Sequence, residues 1–119
     1  MTVQDIAQQF VALCQAGKFD EAGDRFWSDD IVSVEPMGDA AVMRGRAAVE
    51  GKRQWWYENH EVHGGETHGP YVNGDQFAVR FHLDVTTKAS GQRMQMEEVG
   101  LYTVRDGRIV EERFLYRQG

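Results

Sequence analysis

The sequence predicts an α+β domain in which three helices lie on a strongly curved, mainly antiparallel sheet. Three observations carry that expectation. Apolar residues recur at helical spacing up to about His60, and the second half of the chain alternates with period two. The turn pairs Asn73-Gly74, Ser90-Gly91 and Asp106-Gly107 then cut that half into strands. With helices first and sheet second, the helices cover one face of the sheet.

Thr2 precedes Val3, Ile6, Ala7, Phe10, Leu13 and Cys14, which form one apolar helical face. Thr2 and Asp5 have the spacing of a capping box, and Gly17 supplies the stop. Phe19, Ala22, Gly23 and Phe26 repeat the spacing in a short second helix, which the Ser28-Asp29-Asp30 cluster ends. A strand over 31–35 follows, then a loop through Gly38, Asp39 and Gly45. From Arg46 to about His60 the pairs Ala48/Val49, Lys52/Arg53 and Trp55/Trp56 stack on one side of a third helix, with one tryptophan in the core.

The rest reads as a four-stranded meander over 62–72, 76–88, 92–104 and 108–117. A two-residue turn at Asp106-Gly107 pairs Val104 with Ile109, and so sets Val99 opposite Phe114 and Leu101 opposite Glu112. One face of that hairpin then carries Glu97, Val99, Leu101, Glu112, Phe114 and Tyr116, and the other Glu98, Gly100, Tyr102, Glu111, Arg113 and Leu115. In the strand before it, His82 and Asp84 lie opposite the apolar side, and a register about Ser90-Gly91 sets Asp84 against Glu97. A bulge near Gly91 would exchange these faces.

At 119 residues, 1–119 forms one domain. With 19 acidic against 13 basic residues and a net charge of −6, the chain is not expected to bind nucleic acid, since phosphate backbones select basic surface. The lone Cys14 cannot close an internal disulfide, and neither a leader peptide nor an apolar run of membrane-spanning length is legible. A cytoplasmic protein without a membrane partner is the expectation.

Three stretches, FVALCQAGKFDEAGDRFWSDDIVSVEP, RGRAAVEGKRQWW and EEVGLYTVRDGRIVEERFLY, occur in an order that resembles the SnoaL-like and ketosteroid-isomerase-like branch of the nuclear-transport-factor-2-like superfamily. The resemblance spans essentially the whole chain. It implies a cone-shaped α+β barrel around an apolar pocket for a small hydrophobic ligand, and a homodimer formed through the sheet. In ketosteroid isomerases the catalytic carboxylate immediately precedes a proline, and Glu35 stands before Pro36 here. Glu35 is therefore the candidate general base, because a carboxylate at the edge of an apolar cavity is desolvated and suited to moving a proton near neutral pH. Phe10, Trp27, Met37, Trp56, Val99, Glu112, Phe114 and Tyr116 are the expected pocket lining. Phe10 and Val99 stand where those isomerases carry their two oxyanion donors, so steroid isomerisation is not expected.

Bland readings stand beside these. Glu35 is either the base or an ion-pair partner of Arg44 or Arg46. His82, Asp84 and Glu97 form either a polar cluster inside the cone, with catalytic roles, or part of a dimer-facing surface. His60 and His63 have an H-x-x-H spacing near His68, but the helix is expected to end between them, and no metal is assigned. The functional expectation is cofactor-independent proton transfer, isomerase-like or cyclase-like, on a hydrophobic carbonyl compound. The alternatives are a ligand-binding or dimerisation module without catalysis, and an epoxide-opening hydrolase built on a wider carboxylate network.

Overall fold

The computed structural model describes residues 1–36 and 42–116. Helices α1 (Val3–Gln15), α2 (Phe19–Phe26) and α3 (Arg46–Asn59) pack on an unclosed six-stranded sheet. Its strands are β1 (Trp27–Val34), β2 (Val42–Arg44), β3 (His60–Asn73), β4 (Gln76–Thr87), β5 (Gln92–Arg105) and β6 (Arg108–Leu115), in the order β2-β1-β6-β5-β4-β3. All pairings are antiparallel except β1 with β6.

Local chemistry explains most of the boundaries. Thr2 and Asp5 form the full capping box, each side chain accepting from the other's backbone N–H at 3.1 and 3.0 Å. The Ser28-Asp29-Asp30 cluster is strand, not loop: β1 starts at Trp27 directly after α2, because β6 lies alongside and pairs Trp27 with Ile109. The loop expected before α3 holds the short strand β2, which pairs with β1. Met37, Gly38 and Asp39, with Arg117 at the far end, lie outside the described residues.

The core fills the space between α1 and the sheet. The Phe10 ring lies 4.8 Å from Tyr102 and 5.8 Å from Phe77, and Phe77 stacks on Tyr102 at 5.0 Å. Ile6, Ile31, Val79 and Ile109 close around them. Burying such side chains fully contributes about 1.5–3 kcal/mol each. The core tryptophan is Trp27 and comes from β1. Helix α3 buries Val49 instead: Lys52, Arg53 and Trp56 follow on that face and are half-buried, which turns Trp55 outward, 59% exposed. Trp56 stacks on His60 at 4.5 Å.

One irregularity decides which side chains face the helices. Asp106 and Gly107 both have positive φ (52° and 77°), as a two-residue hairpin turn requires, and Val104 pairs with Ile109 as expected. The next pair is Thr103 with Glu111, so Val110 is an extra residue on β6. Beyond this bulge Tyr102 opposes Glu112 and Gly100 opposes Phe114, one position away from the expected register. On β4, His82 opposes Glu97 and Asp84 opposes Gln95, which corrects the expected pairing of Asp84 with Glu97. The inner face therefore carries Glu98, Gly100, Tyr102, Glu112 and Phe114, and the outer face Glu97, Val99 and Leu101.

Candidate active site

Ser33 and Glu35 follow Ile31 at strand spacing, so all three project from the inner side of β1. Because β1 is parallel to β6, Ser33 sits level with Glu112. Lys52, one turn after the buried Val49, reaches down from α3 into the same space. Its Nζ lies 2.8 Å from Glu35 Oε1 and 3.9 Å from Glu112 Oε2, and it also donates to the Ser33 hydroxyl. Ser33 passes the contact on, donating to Glu112 Oε2 at 2.7 Å. The group is graded in depth: the Lys52 and Glu35 side chains are 19% and 20% exposed, Glu112 only 6%.

Electrostatics follow from that burial. Glu112 is pushed above the usual carboxylate range by desolvation, against the pull of Lys52 and the Ser33 hydrogen bond, with Glu35 adding repulsion. The buried Trp27 indole N–H also favours its charged form but has no partner in hydrogen-bond geometry. Glu98 enters from β5, and burial, together with repulsion from Glu35 and Glu112, raises its carboxyl to about 7 despite Lys52. The Tyr102 phenol is raised well above its ordinary value by complete burial and then by Glu112, Cys14 and Glu98. Tyr116, just past β6, is raised by burial and then by the neighbouring Glu35 carboxylate, with the charge of Glu98 adding to it. Cys14 is pushed up to about 12 by burial and by Glu112, so its thiol is not nucleophilic near neutral pH.

Of the expected site residues, Glu35, Glu112, Phe114 and Tyr116 come together here, with Phe10 and Trp27 in the wall of core behind them. Trp56 stands one turn beyond Lys52 on α3. Met37 lies outside the described residues. Val99 lies instead on the outer face, opposite Leu115, because the bulge shifts the hairpin by one residue. His82, Asp84 and Glu97 are outward too: Arg93 binds Asp84 through two nitrogens at 2.7 and 2.9 Å, and Arg80 binds Glu97 at 2.8 Å. Arg46 goes to the Trp27 carbonyl, Asp29 and Glu50, so the ion-pair partner of Glu35 is Lys52 and not that arginine. Among the described residues no three His, Cys, Asp or Glu side chains are grouped to hold a metal ion; His63 bonds to Thr86 and His68 to Glu66.

Lys52, Ser33, Glu98 and Tyr102 are the members that sequence reasoning missed. Each left a trace. Lys52 falls on the face of α3 that contains the buried Val49, and Ser33 is a small polar residue at an inward strand position. The doublets Glu97-Glu98 and Glu111-Glu112 present one carboxyl to each face whatever the register.

The profile of the SnoaL-like domain matches residues 1–116. The chain belongs to the SnoaL-like domain family. Within that family, a Mesorhizobium loti structure is provisionally described as a SnoaL-like polyketide cyclase, with carbohydrate phosphatase in brackets. It is 56% identical over 98% of this chain and all of that one, with a TM-score of 0.94. A structure from Jannaschia sp. CCS1, also provisionally a SnoaL-like polyketide cyclase, is 16% identical over 93% of this chain and 85% of its own, with a TM-score of 0.76. A Xanthomonas campestris protein of cystatin-like fold is 21% identical over 99% and 92%, with a TM-score of 0.78. At such identities the last two show the fold alone. No curated protein matches the sequence. No helix among the described residues of this SnoaL-like chain is long and apolar enough to cross a membrane.

Proposed function

We propose that this SnoaL-like protein catalyses cofactor-independent proton transfer on a hydrophobic carbonyl compound, with Glu35 as the base. The observation that carries the reading is the ammonium of Lys52, held inside the fold between Glu35 and Glu112. The carbon–hydrogen bond next to the carbonyl breaks, its proton goes to Glu35, and the electron pair moves onto the carbonyl oxygen. An enolate needs fixed donors in a dry site. Phe10 and Val99 supply none; Lys52, the Tyr102 hydroxyl and the protonated Glu98 carboxyl are donors on the inner face. Glu35 then returns the proton to another carbon of a conjugated enolate, or, where the enolate carbon adds to a second carbonyl and closes a ring, to the alkoxide so formed. The 56% identical relative, provisionally a polyketide cyclase, supports the second outcome.

Exchange of α-hydrogen for deuterium in a panel of hydrophobic aryl ketones, followed by proton NMR in D2O, tests this. The native protein is expected to accelerate exchange of at least one ketone, and Glu35→Gln to lower the rate by roughly 10²–10⁴ while remaining folded. A folded Glu35→Gln protein exchanging at the native rate contradicts it.

The Glu35–Lys52 pair has the geometry of a structural ion pair as well, which favours a ligand-binding module as the second reading. For either reading we propose a homodimer through the outer sheet face, where Tyr71 and Leu115 are exposed; light scattering reads the mass directly.

A further inference from the structure

Lys52 serves two carboxyl groups at once. Its Nζ donates to Glu35 Oε1 at 2.8 Å and to the Ser33 hydroxyl, which uses two of its three N–H groups. The Ser33 hydroxyl in turn donates to Glu112 Oε2 at 2.7 Å, an oxygen that lies 3.9 Å from the same ammonium. The contacts thus run from Glu35 at the end of β1 to α3, back to β1 and across to β6. Packing alone does not call for them. Ser33 is completely buried and the Glu112 side chain is only 6% exposed, where apolar side chains of similar volume would avoid the cost of burying a carboxyl.

We propose that Ser33 and Glu112 are positioning residues for the proton transfer: they anchor the Lys52 ammonium and take up part of its charge, so that Glu35 stays basic beside it. This rests on Glu35 being the base. An ammonium at 2.8 Å with no other partner would favour the Glu35 carboxylate so strongly that it would accept a proton poorly. A second carboxylate behind that ammonium opposes the effect. The anchor matters again once the proton has moved. Glu35 is then neutral and its hold on Lys52 weakens, while Ser33 and Glu112 keep the nitrogen in place with its third N–H left for the enolate oxygen.

The pH dependence follows. The groups around Glu112 and Glu35 are Ser33 on β1, Lys52 on α3, Glu98 on β5 and Tyr116 just past β6, with Cys14 from α1, Tyr102 from β5 and the Trp27 indole behind Glu112. Burial keeps Cys14, Tyr102 and Tyr116 neutral near pH 7, so Glu98 is the other acid whose charge changes there. Removing the Glu112 charge leaves Lys52 to Glu35 and removes a repulsion, and both favour the Glu35 carboxylate. Exchange then sets in at lower pH and levels off at a lower rate, because a weaker base takes the proton less readily.

Two curves test the proposal: the pH profile of α-hydrogen exchange, and the carboxyl-carbon NMR titration of Glu35, assigned with Glu35→Gln. Both are recorded for the native protein, Glu112→Gln, Ser33→Ala and the control Glu111→Gln, whose carboxylate pairs with Arg113. In Glu112→Gln both midpoints are expected about one pH unit lower, with a lower exchange plateau. Ser33→Ala should move them the same way by less, and Glu111→Gln should move neither. A plateau that falls while both midpoints stay in place makes Ser33 and Glu112 merely structural and overturns the proposal. Should Glu112→Gln fail to fold, Ser33→Ala decides by the same criterion. The Glu35 titration needs no substrate: if it moves as expected while the native protein exchanges no ketone, the base reading fails and the sharing of Lys52 stands.

Discussion

The Lys52 ammonium stands 2.8 Å from the Glu35 carboxylate and so ties α3 to the end of β1. It is also the inward cation that moderates Glu112 and Glu98. Replacing it with methionine keeps the stem and removes the charge. Breaking a largely buried pair from one side leaves the acid uncompensated. Lys52→Met should cost about 2–3 kcal/mol in urea denaturation at pH 7.5, and less at pH 5, where Glu98 and Glu112 are more readily neutral. A cost that does not depend on pH would show that Lys52 acts through packing.

Glu98 gives the protein an acid-favouring stability component. Its folded pKa is about 7 against 4.5 when free, so the folded state binds the proton more tightly. The stability from this group is complete below about pH 4.5 and is lost as pH rises through 7. The loss is of order 3 kcal/mol. Denaturation of Glu98→Gln should show that much less decline between pH 4.5 and 7.5 than the native protein, with Glu112 leaving a smaller slope in the same direction.

Gly100 makes room for the Tyr102 ring, which Phe10 and Phe77 hold in place. Gly100→Ala should therefore destabilise by about 1–3 kcal/mol, as overpacking does. Gly64→Ala is the control, because a Cβ there meets nothing within 4 Å. It should stay within about 0.5 kcal/mol in the same thermal melts.

His82, Asp84 and Glu97 project outward from β4 and β5. Their replacement by Asn, Asn and Gln should leave α-hydrogen exchange unchanged. A rate reduced as far as in Glu35→Gln would mean that the outer face takes part in the chemistry.

Much of the fold was legible because it is encoded locally. The Thr2/Asp5 cap, the glycine turns and the period-two strands each depend on a few neighbouring residues. The site depends on one non-local event. Nothing around Val110 in the sequence announces a bulge, since an extra strand residue is set by how β6 twists against β5 and β1. A register without it turns Glu97 inward and Glu98 outward, and so names the wrong acid. Glu35 was visible from its proline, but its partner Lys52 lies 17 positions on, in another element, and only packing brings them together.

The most direct measurement of this inward arrangement is a carboxyl-carbon NMR titration of the native protein and Glu98→Gln. One glutamate carboxyl is expected to titrate near pH 7 and to disappear in Glu98→Gln. If the signal lost on substitution titrates instead near the ordinary glutamate value of about 4.3, Glu98 is solvated and the geometry proposed for the inner face is contradicted.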